Sequence, residues 1–181
     1  GLFGYHFLIF LALKISPPVQ ANLINYLWPL MIVLFSALLP GQTLRPRHIA
    51  GALAGFSGAC LLVTGGNTLM PAPEYIPGYV AALAAGLVWT GYSLASSRLT
   101  SVSTNAIGAF CLVAAILSTG AHILFETTVV PSTGEWVALV CLGLGPAGGA
   151  FFLWDWGLKR GHVRALGGIA YTAPLSSTAL L

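Results

Sequence analysis

Apolar residues run along this chain in long blocks separated by short turn-forming stretches. Between Lys, Arg, Asp and Glu residues lie uncharged runs at 1–13, 15–44, 48–73, 75–97, 99–125, 136–154 and 165–181. Five of these seven reach the roughly 18 residues that signal a membrane-spanning helix, and the two shorter runs are those cut by the ends of the sequence. Breaks fall at Ser16-Pro17-Pro18, Pro40-Gly41, Gly65-Gly66 to Pro77, Ser101 to Ser103, Pro131 to Gly134 and Gly161-His162. They predict seven helices, at Gly1–Leu13, Val19–Leu39, Ile49–Val63, Gly78–Ser97, Thr104–Phe125, Trp136–Gly157 and Val163–Leu181. The expected fold is an all-α integral membrane protein. Gly1 opens directly into an apolar stretch, with neither an initiator Met nor a cleavable leader, so sequence is expected upstream. The longest connection carries three prolines and Glu74, and separates residues 1–66 from 78–181 with a linker at 67–77.

Composition narrows the class. Apolar residues make up 57% and charged residues 6%, where a soluble domain carries roughly 25% charged residues. Too little polar surface exists to wrap a water-soluble globule, and the alternation of a membrane β-barrel is absent. The net charge of +3 rests on seven basic residues without a cluster that follows a phosphate backbone, which excludes nucleic acid as a partner. Cys60, Cys111 and Cys141 lie in different apolar runs without metal-ligand spacing and read as packing residues; no cofactor or metal is expected. Basic residues stay cytoplasmic in short loops. Lys14 alone falls on one side, whereas Arg45, Arg47, Arg98, Lys159, Arg160 and Arg164 fall on the other, so the latter face the cytoplasm and Glu74, Glu126 and Glu135 lie outside.

Sliding the chain by 145 residues lays positions 1–36 on 146–181 without a gap. Nine positions then match, among them Lys14/Lys159, Tyr26/Tyr171, Pro29/Pro174 and Leu30/Leu175. The copies are five segments apart, and an odd number of crossings inverts the second, which is a construction of secondary transporters. Pro29 and Pro174 fall near the middle of matching helices. Each removes a backbone hydrogen bond and kinks its helix, exposing polar backbone that protein or a water-filled cavity must face. Paired interruptions point to a transport site, with packing as the alternative reading.

Trp and Tyr normally gather at membrane interfaces, so those near mid-span require another explanation. Tyr26 and Trp28 flank the first kink, Trp89 and Tyr92 lie midway along the fourth segment, and Tyr171 adjoins the second kink. With the Asn25 amide they are candidates to line an aromatic cavity for flat or cationic solutes, ordinary helix packing being the alternative. Trp136, Trp154 and Trp156, near segment ends, are expected in the interfacial belt. His6 lies roughly 12 Å deeper than Lys14 at 1.5 Å per residue and is the mid-depth titratable candidate, with a structural role equally open. Asp155 with Lys159, and His122 with Glu126, have the spacing of local ion pairs. Gly51, Gly55 and Gly58 suit close helix contact. Gly55-Phe56-Ser57-Gly58 also spells the nucleophile motif of rhomboid-type intramembrane proteases, with His122 as a candidate base, a competing enzyme reading.

The run Val19 to Leu30, containing Asn25-Tyr-Leu-Trp-Pro29, together with Phe151-Phe-Leu-Trp-Asp-Trp-Gly-Leu-Lys-Arg-Gly161 and Tyr171-Thr-Ala-Pro-Leu175, resembles the EamA-type drug/metabolite transporter family. The first run looks most like its aromatic amino-acid exporter branch. The resemblance implies ten helices in two inverted five-helix halves, of which this chain holds the third to the ninth, in a bacterial inner membrane. It implies a transporter rather than an enzyme, exporting or exchanging small metabolites by alternating access; hydrophobic organic cations are an alternative substrate class. Its partners are then a small-molecule substrate and the lipid bilayer. Carried onto this sequence, it places Asn25, Tyr26, Trp28, Pro29, Tyr171 and Pro174 at the central cavity. Gln42 follows Gly41 where many relatives have Glu, so any ion pair of that Glu is absent.

Overall fold

A computed structural model of the chain describes residues 1–41, 43–65 and 72–179. Gln42 and residues 67–71 of the expected linker lie outside the described residues. All regular structure among the described residues is helical: α1 (Leu2–Ile15), α2 (Pro18–Asn25), α3 (Leu27–Phe35), α4 (Pro46–Thr64), α5 (Ile76–Arg98), α6 (Ala106–Phe125), α7 (Thr133–Leu144), α8 (Ala150–Arg160), α9 (Val163–Ile169) and α10 (Thr172–Ala179). Among the described residues five helical stretches are long and apolar enough to cross a membrane: Pro18–Leu38, Pro46–Thr64, Pro73–Arg98, Ala106–Phe125 and Thr133–Arg160. Leu2–Ile15 is apolar but shorter.

The boundaries follow from turn chemistry. Pro18, Pro46 and Pro77 sit in first turns, where their missing N–H leaves no hydrogen bond unmade. Gly65 ends α4 with φ of 60°, a left-handed conformation that glycine adopts without a Cβ penalty. At the start of α7 the Ser132 N–H donates to the Glu135 carboxylate at 2.7 Å and the Glu135 N–H to the Ser132 hydroxyl at 3.5 Å, a reciprocal cap.

Three of the expected continuous helices are interrupted. The second segment breaks at Tyr26 between α2 and α3, the sixth passes through a wide π turn at Gly145–Gly149, and the seventh breaks between α9 and α10. Pro29 cannot donate to the Asn25 carbonyl, four residues back, so the break falls upstream of the proline rather than on it. Tyr171 occupies the equivalent place three residues before Pro174.

Helix α5 is the most enclosed element. Gly78, Ala82, Ala85, Gly86, Trp89, Ser93 and Ser96 are buried along one face. Small side chains there admit close approach: a Cβ on Gly86 would stand 3.5 Å from the Asn25 carbonyl oxygen. Ala12, Ala21, Ala81 and Ala82 form a core cluster, joining α1, α2 and α5. By contrast α6 and α7 present Leu112, Ile116, Ile123, Val137, Val140 and Leu144 outward. In water such a surface would be untenable; against lipid tails it costs nothing.

The small-residue stripe on α4 is only partly used. Gly55 meets Tyr171, whose Cδ2 would lie 2.7 Å from an added Cβ, but Gly51 and Gly58 have open space where a Cβ would go. Their expected close contact is not made among the described residues. Cys141 is exposed rather than packed, and Cys60 and Cys111 are half-buried.

Candidate functional site

The structure brings together five of the residues singled out by sequence. Trp89 of α5 is buried at the hub of a ring cluster. Its ring centroid lies 5.4 Å from Tyr92, 6.3 Å from Trp28, 5.2 Å from Tyr5, 5.6 Å from Phe151 and 6.1 Å from Trp154. His6 joins through Tyr5 at 5.1 Å and Phe151 at 5.6 Å, both edge-on. Asn25 lies beside the cluster, its Nδ2 donating to the Tyr5 hydroxyl at 3.2 Å. Tilted and edge-on contacts place positive ring edges against negative faces, the favoured arrangement.

The cluster draws on α1, α3, α5 and α8, and the last was misjudged by depth along the chain. Trp154 belongs to it instead of to the interfacial belt: its ring lies 5.5 Å from Trp28 and its indole N–H donates to Ser93 Oγ at 3.0 Å. The signal was helical phase. Phe151, Trp154, Asp155 and Leu158 recur at helical spacing and share the inward face, whereas Trp156 points elsewhere and is 51% exposed, stacked under Arg160. Trp136 is exposed as well. Tyr5 and Phe151 join the cluster without a signal of their own in the sequence, each being an aromatic within an apolar run, Phe151 at the head of the second-half motif.

His6 is held by its own helix, Nδ1 lying 2.8 Å from the Leu2 carbonyl. Its open structural reading therefore has a partner, while the ring still faces the aromatic set. Two buried polar atoms near the cluster have no partner among the described residues, Asn25 Oδ1 and the Tyr92 hydroxyl. Buried polar atoms are rarely left unpaired in native structures, and each such exception calls for an explanation.

Tyr26 and Tyr171 meet at the helix breaks. In an unbroken helix the Leu30 N–H would donate to the Tyr26 carbonyl. Here the Tyr171 hydroxyl stands between them, accepting from Leu30 N–H at 3.1 Å and donating to the Tyr26 carbonyl at 3.1 Å. Its ring packs against Phe56 at 6.3 Å. Thr90 Oγ1 donates to the Trp28 carbonyl at 3.3 Å, satisfying further backbone in the same stretch. Gly167 of α9 makes a close approach on the other side, where a Cβ would come 3.1 Å from the Pro29 carbonyl oxygen. Both Pro29 and Pro174 are buried. The freed backbone is thus faced by protein, as the membrane requires.

The two expected ion pairs form, at 2.7 Å for Asp155–Lys159 and 2.7 Å for His122–Glu126. Both ring nitrogens of His122 are taken, by Glu126 and by Thr128 at 3.1 Å, which leaves neither for Ser57. Ser57 itself is exposed on α4. Among the described residues no group of His, Cys, Asp and Glu is placed to hold a metal.

Interrupted helices whose freed backbone is covered by neighbouring helices recur in membrane transporters. The chain belongs to the EamA-like transporter family, whose model matches residues 1–64 and 76–181, and it is an integral membrane protein of the bacterial inner membrane. It is 55% identical over its whole length to a protein of Ancylobacter novellus named aromatic amino acid exporter YddG, covering 63% of that protein. A protein of the same name from Salmonella typhimurium is 26% identical over 90% of this chain and 57% of its own length. A solved crystal structure at 55% identity superimposes with a TM-score of 0.96, over all of this chain and 65% of that one. The chain thus spans about three fifths of the length of these relatives.

Proposed function

We propose that this chain forms the greater part of an exporter or exchanger of small metabolites, aromatic amino acids in particular, that works by alternating access between two inverted halves. The observation that carries this reading is the ring cluster around Trp89, built from four helices and bordered by the unpartnered amide oxygen of Asn25. Aromatic faces suit planar substrates, and an unpaired carbonyl oxygen in a low-dielectric site suits an ammonium group. The names of the relatives agree with that chemistry. His6, Asn25, Tyr26, Trp28, Trp89, Tyr92 and Trp154 are the proposed substrate surface, and Tyr171 holds the break that presents it. The repeat at 145 residues, with its matched breaks at Tyr26 and Tyr171, supports two halves meeting at this site.

Transport assays on the full-length protein test the proposal. A planar substrate stacked on a ring gains about 0.5 to 1.5 kcal/mol beyond area burial. Trp28→Leu and Trp89→Leu, which keep apolar bulk, should each weaken apparent affinity for aromatic amino acids by roughly two- to tenfold on that basis, with aliphatic amino acids less affected. Equal loss for both classes would assign the rings to packing.

A further inference from the structure

A second site lies away from the ring cluster, where the first turn of α4 meets the start of α9. A cavity of 450 Å³ is lined there by Arg47, His48, His162 and Arg164, over a floor that includes Val33 and Ala52. The four basic side chains come from segments more than a hundred residues apart in sequence, Arg47 and His48 from α4, and His162 and Arg164 from α9 and its cap. Among the described residues no carboxylate lines it. Of the four in the chain, Asp155 is committed to Lys159, Glu126 to His122 and Glu135 to Ser132, while Glu74 lies in the turn Pro73–Tyr75.

The arrangement is built rather than incidental. The Arg164 guanidinium donates to the Thr43 carbonyl and lies 3.4 Å from His48 Nδ1. His48 Nδ1 also accepts from the Arg45 N–H at 3.2 Å, so its Nε2 carries the proton and is a donor. Arg47 and His48 stand in the first turn of a helix of 19 residues, where the macrodipole is already positive and basic side chains are disfavoured unless an anion is present. A helix start, two guanidiniums and two imidazoles from two directions suit an oxyanion with several acceptors, and guanidinium forks match phosphate geometry. All six cytoplasmic-loop cations lie on this face of the membrane by the charge rule, and basic pockets between helices on that side suit lipid phosphates.

We propose that this pocket binds a phosphate-bearing anion, the shared chemistry of an acidic lipid headgroup and of free phosphate. The test uses the full-length protein, Arg47→Gln with His162→Gln, and Arg160→Gln as a control with the same change in formal charge outside the pocket. One arm counts phosphatidylglycerol against phosphatidylcholine retained in native mass spectrometry. The other titrates inorganic phosphate against chloride at matched ionic strength and reads the thermal midpoint. A preference for phosphatidylglycerol that falls roughly fivefold or more in the pocket variant but not in the control supports a lipid ligand, about the effect of one cation at a membrane surface. A stabilisation by phosphate lost only in the pocket variant supports the free anion. No preference by the unmodified protein in either arm, or equal losses in variant and control, overturns the proposal. Neither outcome depends on transport, so failure here leaves the proposed function standing.

Discussion

At the scale of single residues, Asp155 is the most demanding side chain. It is 1% exposed, accepts from Lys159 at 2.7 Å and accepts a second hydrogen bond from Ser96 of α5. Lys159 in turn donates to the Val102 carbonyl at 2.9 Å, fastening the end of α8 to the loop after α5. Removing one partner of a buried pair strands the other, at about 3 to 5 kcal/mol. Lys159→Ala is expected to lower unfolding stability in mixed micelles by that order. Asp155→Asn, which keeps a hydrogen-bonding group beside Ser96, should cost less. A loss in Lys159→Ala no greater than the roughly 1 kcal/mol of an exposed pair would show that water reaches this carboxylate.

At the scale of elements, the break between α2 and α3 is held by a hydroxyl from the far end of the chain. Tyr171→Phe removes both hydrogen bonds at once, leaving the Leu30 N–H and the Tyr26 carbonyl to find each other or remain unpaired. The expected loss is about 1 to 3 kcal/mol of stability, with transport reduced further because the strand of backbone carrying Tyr26 and Trp28 shifts. An unaltered unfolding curve would show that the hydroxyl bears no part of the fold. Pro29→Ala and Pro174→Ala restore a donor in each helix and should lower transport more than they lower folded protein in the membrane. Full transport in both would make the breaks a packing feature.

At the scale of the whole molecule, orientation and lipid exposure belong together. Arg98 donates to the Leu38 carbonyl at 2.9 Å and Arg164 to that of Thr43, so two cations from later helices grip the loop that follows α3. If that loop is cytoplasmic, cysteines replacing Arg45 and Glu135 in a background lacking Cys60, Cys111 and Cys141 must label from opposite sides with an impermeant thiol reagent. Labelling from one side only would refute both the orientation and the inverted arrangement of the halves.

What the sequence determined by itself was everything that depends on local free energy: five helical stretches long enough to cross the membrane, their turns, the two local ion pairs and the family likeness. The helices, turns and ion pairs follow from hydropathy, missing proline donors or neighbours four residues apart, and the likeness rests on short motif runs such as Asn25 to Pro29, all of which a chain carries in one dimension. The paired prolines likewise announced interrupted helices, though the interruptions fall at Tyr26 and Tyr171 because the lost bond reaches back four residues. Helix phase and long-range partners were decided only by tertiary packing. Depth along the segment assigned Trp154 to the interface, but rotation about the helix axis turned it onto Trp28 and Ser93. The Tyr171 hydroxyl found Leu30 across 141 residues, and four basic side chains scattered over two segments came to line one cavity. Such contacts are absent from any local pattern, since they exist only once distant helices pack side by side.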